Sequence, residues 1–273
     1  MKFFSVRLLI LSFILVSING CKTTEISSAI NNIMPIKKNN LILDDDKDNK
    51  IEVKSSEKTN NSISGTCGEV FLINTLLFAT NKVSEPCFKL VDKKDYQNAF
   101  KICKSLAENG DPFSQSVIAM IFDEGLGTVD QNFNIAFEWY KKAANQGMLF
   151  PQFKLGIMNG EGLGVRQNYK EAFKWHTKAA KAGFCGSEHA LGYMYEEGLG
   201  IPGNYLIAFE WYKLAAEKGH SLAQNNLGNM YYNGTGVNKN YLKAHMWYNL
   251  ASVEFDDQKN TYMVENKNNL ARK

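Results

Sequence analysis

The sequence predicts an all-α solenoid of stacked helix pairs, because three features repeat at a nearly fixed interval. The tryptophans recur every 36 residues, at Trp139, Trp175, Trp211 and Trp247. One alanine lies three residues before each tryptophan, and another lies four residues after it. A Gly-x-Gly precedes each tryptophan and begins at Gly125, Gly162, Gly198 or Gly234. A period between about 20 and 50 residues is the signature of a solenoid.

Composition sets the limits of this prediction. The 273 residues allow one large domain or two small ones, and 44% hydrophobic residues supply a packed core. The formal charge of +3 excludes a generic basic nucleic-acid binder, which needs a clear Lys and Arg excess. Only four histidines are present, which leaves little room for a multi-histidine metal site.

Residues 1–20 are predicted to form a signal peptide. Lys2 and Arg7 precede an apolar run over residues 8–16. This run is too short to span a hydrocarbon core of roughly 30 Å. The run ends in Ile-Asn-Gly before Cys21, which resembles the lipobox of bacterial lipoproteins although Asn departs from the usual Ala or Ser. The resemblance implies lipid attachment to Cys21 and an outer-membrane lipoprotein facing the periplasm or the cell surface. The alternative is cleavage nearby that leaves Cys21 as a plain thiol.

A disordered tether is predicted over residues 21–66. Residues 22–66 contain seven lysines, seven acidic residues and no aromatic residue, so they cannot bury enough apolar surface to offset the entropy lost on ordering. Order is expected to begin near Cys67. Residues 67–112 are predicted to hold capping helices and a degenerate repeat, with the apolar stretch 70–78 forming a helix that seals the end of the stack.

Four full repeats follow, and each contains two helices. The first helix ends at the Gly-x-Gly, because glycine tolerates the left-handed backbone that stops a helix. In the second helix, Ala208, Trp211, Tyr212 and Ala215 share one face. A single helix pair is too thin to bury that face, so the pairs must stack. The predicted repeats are 113–148, 149–184, 185–220 and 221–251, followed by a closing helix over 252–273.

These motifs resemble the Sel1-like repeat (SLR), a branch of the tetratricopeptide superfamily. The resemblance rests on Ala-Leu-Gly-Tyr-Met-Tyr-Glu-Glu-Gly-Leu-Gly at 190–200 and on Ala-Phe-Glu-Trp-Tyr-Lys-Leu-Ala-Ala-Glu-Lys-Gly at 208–219. Departures are mild, since Ala119 replaces a first-helix glycine and Asn159 replaces an aromatic residue. The resemblance implies a right-handed superhelix of antiparallel helix pairs, with the first helices lining the concave side.

The sequence predicts no catalytic residue, cofactor or metal ion. A Ser-x-x-Lys pattern at Ser55 and Lys58 is typical of penicillin-interactive enzymes, but it lies in the tether and lacks a Lys-Thr-Gly partner. The histidines show no His-x-x-x-His spacing, so no zinc site is predicted. Each Gly-x-Gly follows a helix rather than a strand, so none is a nucleotide loop.

Four cysteines follow Cys21, and in an oxidising compartment they allow several pairings. A bridge between Cys87 and Cys103 is favoured, because both flank the turn into the earliest repeat. Cys67 with either of them is the next choice. Cys185 opens the third full repeat, far along the chain, and is expected to be a free thiol.

The tetratricopeptide convention assigns a concave groove to the first helices. Its candidate residues mix apolar, aromatic and acidic side chains: Met120, Asp123, Phe153, Ile157, Glu161, His189, Tyr193, Glu196, Glu197, Asn229 and Tyr232. The groove is predicted to bind a protein or peptide segment of basic and apolar character, with no nucleic acid and no small-molecule substrate. The alternative is that the glutamates form only a solvated rim.

Three functions follow from the sequence. The first is a non-enzymatic, lipid-anchored SLR scaffold of the bacterial cell envelope. The second is a secreted host-interaction factor, which differs mainly in the fate of Cys21. The third, from another class, is a penicillin-interactive or cell-wall enzyme, which the tether motif supports poorly.

Overall fold

The computed structural model describes residues 67–79 and 82–253, and all regular structure in these ranges is α-helical. The predicted signal peptide, the tether and residues 254–273 of the predicted closing helix lie outside the described residues. The helices are α1 Cys67–Ala79, α2 Glu85–Asp92, α3 Tyr96–Glu108, α4 Pro112–Glu124, α5 Phe133–Asn145, α6 Leu149–Glu161, α7 Tyr169–Lys181, α8 Cys185–Glu197, α9 Tyr205–Glu217, α10 Ser221–Asn233 and α11 Tyr241–Val253. From α2 onward each helix packs on its neighbours along the chain, so the predicted α-solenoid of helix pairs is confirmed.

Short polar motifs set where the helices of each pair begin and end. The second helices α5, α7 and α9 follow an asparagine whose side chain accepts a hydrogen bond from the first-turn backbone, as Asn168 Oδ1 does from Glu171 N at 3.2 Å. The first helices α4, α6, α8 and α10 end at the first glycine of the Gly-x-Gly, with φ between 66° and 77°. Local capping therefore fixes where these second helices begin and where the first helices end, and both helices of each repeat have 13 residues.

The second glycine of each Gly-x-Gly joins one repeat to the preceding one. A Cβ on Gly164 would lie 2.2 Å from the carbonyl oxygen of Phe133, the first residue of α5. A Cβ on Gly200 would lie 2.6 Å from the backbone of Tyr169, and one on Gly236 would lie 2.3 Å from the oxygen of Tyr205. Each loop thus rests on the start of the preceding repeat's second helix, where only glycine fits.

Gly164→Ala is expected to destabilise the protein more than Gly147→Ala. Both glycines have positive φ, which costs an L-residue roughly 1–2 kcal/mol, but nothing lies within 4 Å of a Cβ on Gly147. The clash at Phe133 should add about 1–3 kcal/mol to the loss at Gly164. Urea unfolding of the two variants measures the difference. Equal losses would show that the loop contact contributes nothing.

The core lies between the first-helix and second-helix layers and runs along the stack. Aromatic rings of the second helices lie against first-helix glycines, so that a Cβ on Gly192 would approach the Tyr212 ring to 2.5 Å and one on Gly228 would approach Tyr248 to 2.6 Å. The alanines at the repeat interval are buried on the same layer. Small residues of the first helices thus admit large rings of the second helices.

Helix α1 lies along the first helices. It packs against α4 and α6, and its Asn74 Oδ1 accepts a hydrogen bond from Leu149 N, the first residue of α6, at 3.0 Å. At its start, Cys67 N donates to the carbonyl oxygen of Lys218 at 3.1 Å. The prediction that this segment seals the end of the stack is therefore wrong. Leu149 at the start of α6 and Phe184 just before α8 pack against Val70 of α1 instead.

Candidate functional site

The C-terminal halves of the first helices carry the accessible part of the predicted groove. Tyr193 on α8 is 49% exposed, and Glu197 at the end of the same helix is exposed. On α10, Asn229 and Tyr232 are half-buried, and Tyr232 packs edge-on against Tyr241 with ring centroids 5.4 Å apart. Together Tyr193, Glu197, Asn229 and Tyr232 are called the open groove below. Met120 and Ile157 occupy the equivalent of Tyr193 on α4 and α6, and both are half-buried.

Two of the predicted acidic residues have structural partners. Asp123 is 6% exposed, lies 2.5 Å from Lys154 Nζ and accepts a hydrogen bond from the Tyr140 hydroxyl at 3.2 Å. Glu196 is half-buried and accepts from the Tyr212 hydroxyl at 2.6 Å. The carboxylates of these residues hold helix pairs together. The exposed acidic side chains on this face are Glu124, Glu161 and Glu197.

His189 lies at the centre of a histidine cluster. Its ring stacks on His220 with centroids 4.9 Å apart, and Asn226 Nδ2 lies 3.3 Å from its Nε2. Burial, followed by the nearby His220 and His176, lowers the pKa of His189 to about 3. His176 is 4% exposed, and burial lowers its pKa to about 4. His176 and His189 are therefore neutral at pH 7 and add no positive charge to this face.

Phe153 belongs to the part of the first-helix face that α1 covers. It packs against a cluster that contains Val70 of α1 together with Leu149, Ala179 and Phe184. Phe153 lies on the first helix α6, as the repeat alignment predicted. However, the helix period indicates only which face a residue shares, and it carries no information about the segment that covers that face.

The Sel1 repeat family model matches residues 91–111, 112–148, 152–184, 186–220 and 221–252, which is more than half of the chain. The chain belongs to the Sel1 repeat family. Proteins of this family are generally scaffolds for protein interactions. The repeat at 91–111 coincides with the segment in which a degenerate earlier unit was predicted.

Known Sel1 repeat proteins resemble this chain in sequence and in fold. A crystal structure of a Sel1 repeat protein from Oxalobacter formigenes is 34% identical, with a TM-score of 0.59 over 63% of this chain and 70% of that one. A protective antigen of uropathogenic Escherichia coli strains is 27% identical, with a TM-score of 0.55 over 70% of this chain and 38% of that one. A sel1-like repeat-containing protein of Acanthamoeba polyphaga mimivirus is 42% identical over 55 residues, which is 20% of this chain and 10% of that protein.

The four cysteines within residues 67–79 and 82–253 of this Sel1 repeat protein form two disulfides. Cys87 is bonded to Cys103, which links α2 to α3. Cys67 is bonded to Cys185 across 118 residues of sequence, so the prediction that Cys185 is a free thiol is wrong. That prediction assumed that Cys67 stays with the early helices, whereas α1 extends along the first helices as far as the start of α8.

Sequence reasoning missed an ion pair at the third repeat. Glu188 is 1% exposed and pairs with Lys218 Nζ. Glutamine occupies its position in the other repeats, where Gln115, Gln152 and Gln224 each donate to a backbone carbonyl eight residues earlier. The single Glu among three glutamines is the signal that would have found it.

Lys218 has its own counterpart in the first repeat. Gln146 donates to the carbonyl oxygen of Gly110 at 3.1 Å and to Gln115 Oε1 at 2.8 Å, just as Lys218 donates to the carbonyl oxygen of Gly183 and to Glu188. The same network is thus built once from two amides and once from an ion pair. Burial raises the pKa of Glu188, while Lys218 opposes that rise.

Within residues 67–79 and 82–253, no group of three or more His, Cys, Asp or Glu side chains is arranged to hold a metal ion. None of the helices in these ranges has the length and apolarity needed to cross a bilayer. Ser55, Lys58 and the predicted lipidation site Cys21 lie outside the described residues.

Proposed function

We propose that this chain is a non-enzymatic scaffold of the bacterial cell envelope that binds a protein segment of basic and apolar character in the open groove. The observation that carries the proposal is the exposure of Tyr193 beside Glu197 in the middle of the stack. Aromatic residues are enriched where proteins bind one another, since they supply a large contact area at a low entropic cost. Glu161 and Glu197 supply negative charge that favours a basic segment.

A lipid on Cys21 would hold the scaffold at a membrane. The lipobox-like Ile-Asn-Gly-Cys supports this part of the proposal, and the 45 residues of 22–66 would span roughly 35–40 Å as a flexible coil. Metabolic labelling with a radioactive fatty acid tests it. Label that disappears in Cys21→Ser, together with a precursor that accumulates in globomycin, is the expected result. An unlabelled product would contradict it.

A second function is favoured by one relative. The uropathogenic Escherichia coli protein that resembles this chain is a protective antigen, which makes a role in contact with a host the alternative. Fractionation of cells that express the full chain separates the two proposals. Recovery in the membrane fraction supports the anchored scaffold, and recovery of a Cys21-unmodified form in the medium supports the secreted factor.

Replacing Tyr193, Glu197 and Tyr232 together by alanine is expected to reduce partner capture from envelope extracts at least tenfold. Glu197 is chosen over Glu196 because loss of Glu196 would leave the Tyr212 hydroxyl without its acceptor and would destabilise the repeat. Quantitative mass spectrometry of the captured proteins measures the effect. A control with Tyr205→Ala and Glu138→Ala, both exposed on second helices, should capture as much as the unmodified protein. Undiminished capture by a folded triple variant would rule out the open groove.

A further inference from the structure

The first helices of the four repeats begin in two different ways. Asp111 before α4 and His220 before α10 cap their own helices, accepting hydrogen bonds from Ser114 N at 2.8 Å and from Ala223 N at 3.3 Å. Met148 before α6 and Phe184 before α8 occupy the same position and have no capping side chain. The two middle repeats therefore carry apolar residues at the position where the outer repeats carry polar caps.

Helix α1 supplies the cap that α6 lacks. Asn74 Oδ1 accepts from Leu149 N and so caps α6 from outside. Val70 is fully buried in a cluster with Leu149, Ala179 and Phe184, and Phe153 packs against that cluster. These four residues, Leu149, Phe153, Ala179 and Phe184, are called the α1 seat below. An apolar seat with an uncapped helix start beside it has the chemistry to receive an apolar helix that carries one amide side chain.

The Cys67–Cys185 disulfide fixes α1 on the seat. It joins the first residue of α1 to the first residue of α8. Cys67 is half-buried, whereas Cys87 and Cys103 of the other bridge are fully buried. The Cys67–Cys185 bridge therefore contains one partly exposed residue, which the Cys87–Cys103 bridge lacks.

We propose that the α1 seat is a docking surface for a partner's apolar helix, which α1 occupies while the Cys67–Cys185 disulfide is closed. A dithiol reduces this disulfide. One of its thiolates attacks Cys67 Sγ and displaces Cys185 as a thiolate that takes up a proton, and its second thiol then closes the dithiol's own disulfide and releases Cys67 as a thiol. The protein disulfide gains two electrons and the dithiol loses two. The partner helix then replaces α1. An Asn or Gln side chain of the partner helix caps the start of α6, and a small or β-branched apolar residue of the partner helix takes the place of Val70.

Peptide binding to a variant with a displaced α1 tests this proposal. Cys67→Ser with Val70→Asp in the full chain removes this disulfide and makes α1 a poor occupant, while every seat residue stays intact. The probe is a fluorescent synthetic peptide of residues 67–79 with Cys67→Ser and a solubilising lysine tail. Saturable binding at least tenfold tighter than to the oxidised unmodified protein is expected. Phe184→Asp in the same variant, and Asn74→Ala in the peptide, should each weaken that binding at least tenfold.

Hydrogen exchange at the Leu149 amide gives a second readout, which does not depend on the folding of the variant. Because this amide is bonded to Asn74, its exchange should accelerate at least tenfold when dithiothreitol opens Cys67–Cys185 in the unmodified protein. Cys87→Ser with Cys103→Ser, in oxidising buffer, is the control and should leave the exchange unchanged. Unaltered protection of Leu149 after reduction, or a folded variant that binds no peptide, would overturn the proposal. Neither result tests partner binding in the open groove, which is tested by the alanine variant of Tyr193, Glu197 and Tyr232.

Discussion

Replacing Lys218 by methionine is expected to lower the free energy of unfolding by about 3–5 kcal/mol, which is the usual cost of leaving one partner of a buried ion pair alone. Glu188 is 1% exposed, and the side chain of Lys218 is 18% exposed. Glu188 Oε2 already lacks a hydrogen-bond partner among the described residues, so without Lys218 neither oxygen of this carboxylate would have a charged partner. Urea unfolding at pH 7.5 measures the loss.

The first repeat provides the matched rescue. Glu188→Gln with Lys218→Gln rebuilds at the third repeat the amide pair that Gln115 and Gln146 form at the first. This double variant is expected to unfold within about 1 kcal/mol of the unmodified protein, because exchanging a buried ion pair for well-bonded neutral groups is often neutral. A double-mutant cycle with the two single variants gives the coupling energy. Additive losses would show that Glu188 and Lys218 do not act as a pair.

The protein is expected to lose stability as the pH falls from 7.5 to 5. In the folded state, burial holds the pKa of His176 at about 4 and that of His189 at about 3, whereas an unfolded histidine has a pKa of about 6.5. Between these values the unfolded chain binds protons that the folded chain does not. The contribution of these histidines to the free energy of unfolding is therefore fully present above about pH 6.5 and declines as the pH falls below it.

The size of this loss follows from proton linkage. Each histidine contributes at most about 1.4 kcal/mol per pH unit below pH 6.5, so His176 and His189 together contribute about 3–4 kcal/mol by pH 5. His220 adds to the loss, because burial lowers its pKa and its neutral Nδ1 caps α10. Urea unfolding in buffers from pH 7.5 to pH 5 measures the slope.

Repeat-matched substitutions provide the control for the pH effect. His176→Tyr introduces the residue found at Tyr140, Tyr212 and Tyr248, and His189→Asn introduces the residue found at Asn225. The double variant should lose most of the slope between pH 7.5 and pH 5 while keeping its helix content by circular dichroism. A slope equal to that of the unmodified protein would assign the pH effect to other groups.

The groove residues show which properties the repeat period predicts and which it does not. The position of Asp123 on the first-helix face follows from the helix period and from the repeat alignment. Its hydrogen bond with Tyr140 recurs in the third repeat, where the Tyr212 hydroxyl donates to Glu196. Its ion pair with Lys154 does not follow from the repeat, because Lys154 lies on α6 and aligns with Ala190 and Asn226 in the next two repeats. The position of Asp123 is occupied by Gly160 in the second repeat and by Tyr232 in the fourth, so the same position has different roles along the stack.

The sequence by itself determined the helix pairs, their lengths and their stacking. Asparagine caps, the Gly-x-Gly stop and the alternation of rings with small residues act over one repeat or its nearest neighbour, and each recurs often enough to be read from one chain. Only the tertiary structure decided where α1 lies, that Cys67 meets Cys185, and that Glu188 needs Lys218. The charged pair Glu188–Lys218 stands where the first repeat has two amides. The contacts of α1 join distant parts of the chain, and its apolar stretch has no repeat partner from which its place could be inferred. Its position depends on the burial available beside Met148 and Phe184, a property of the assembled stack.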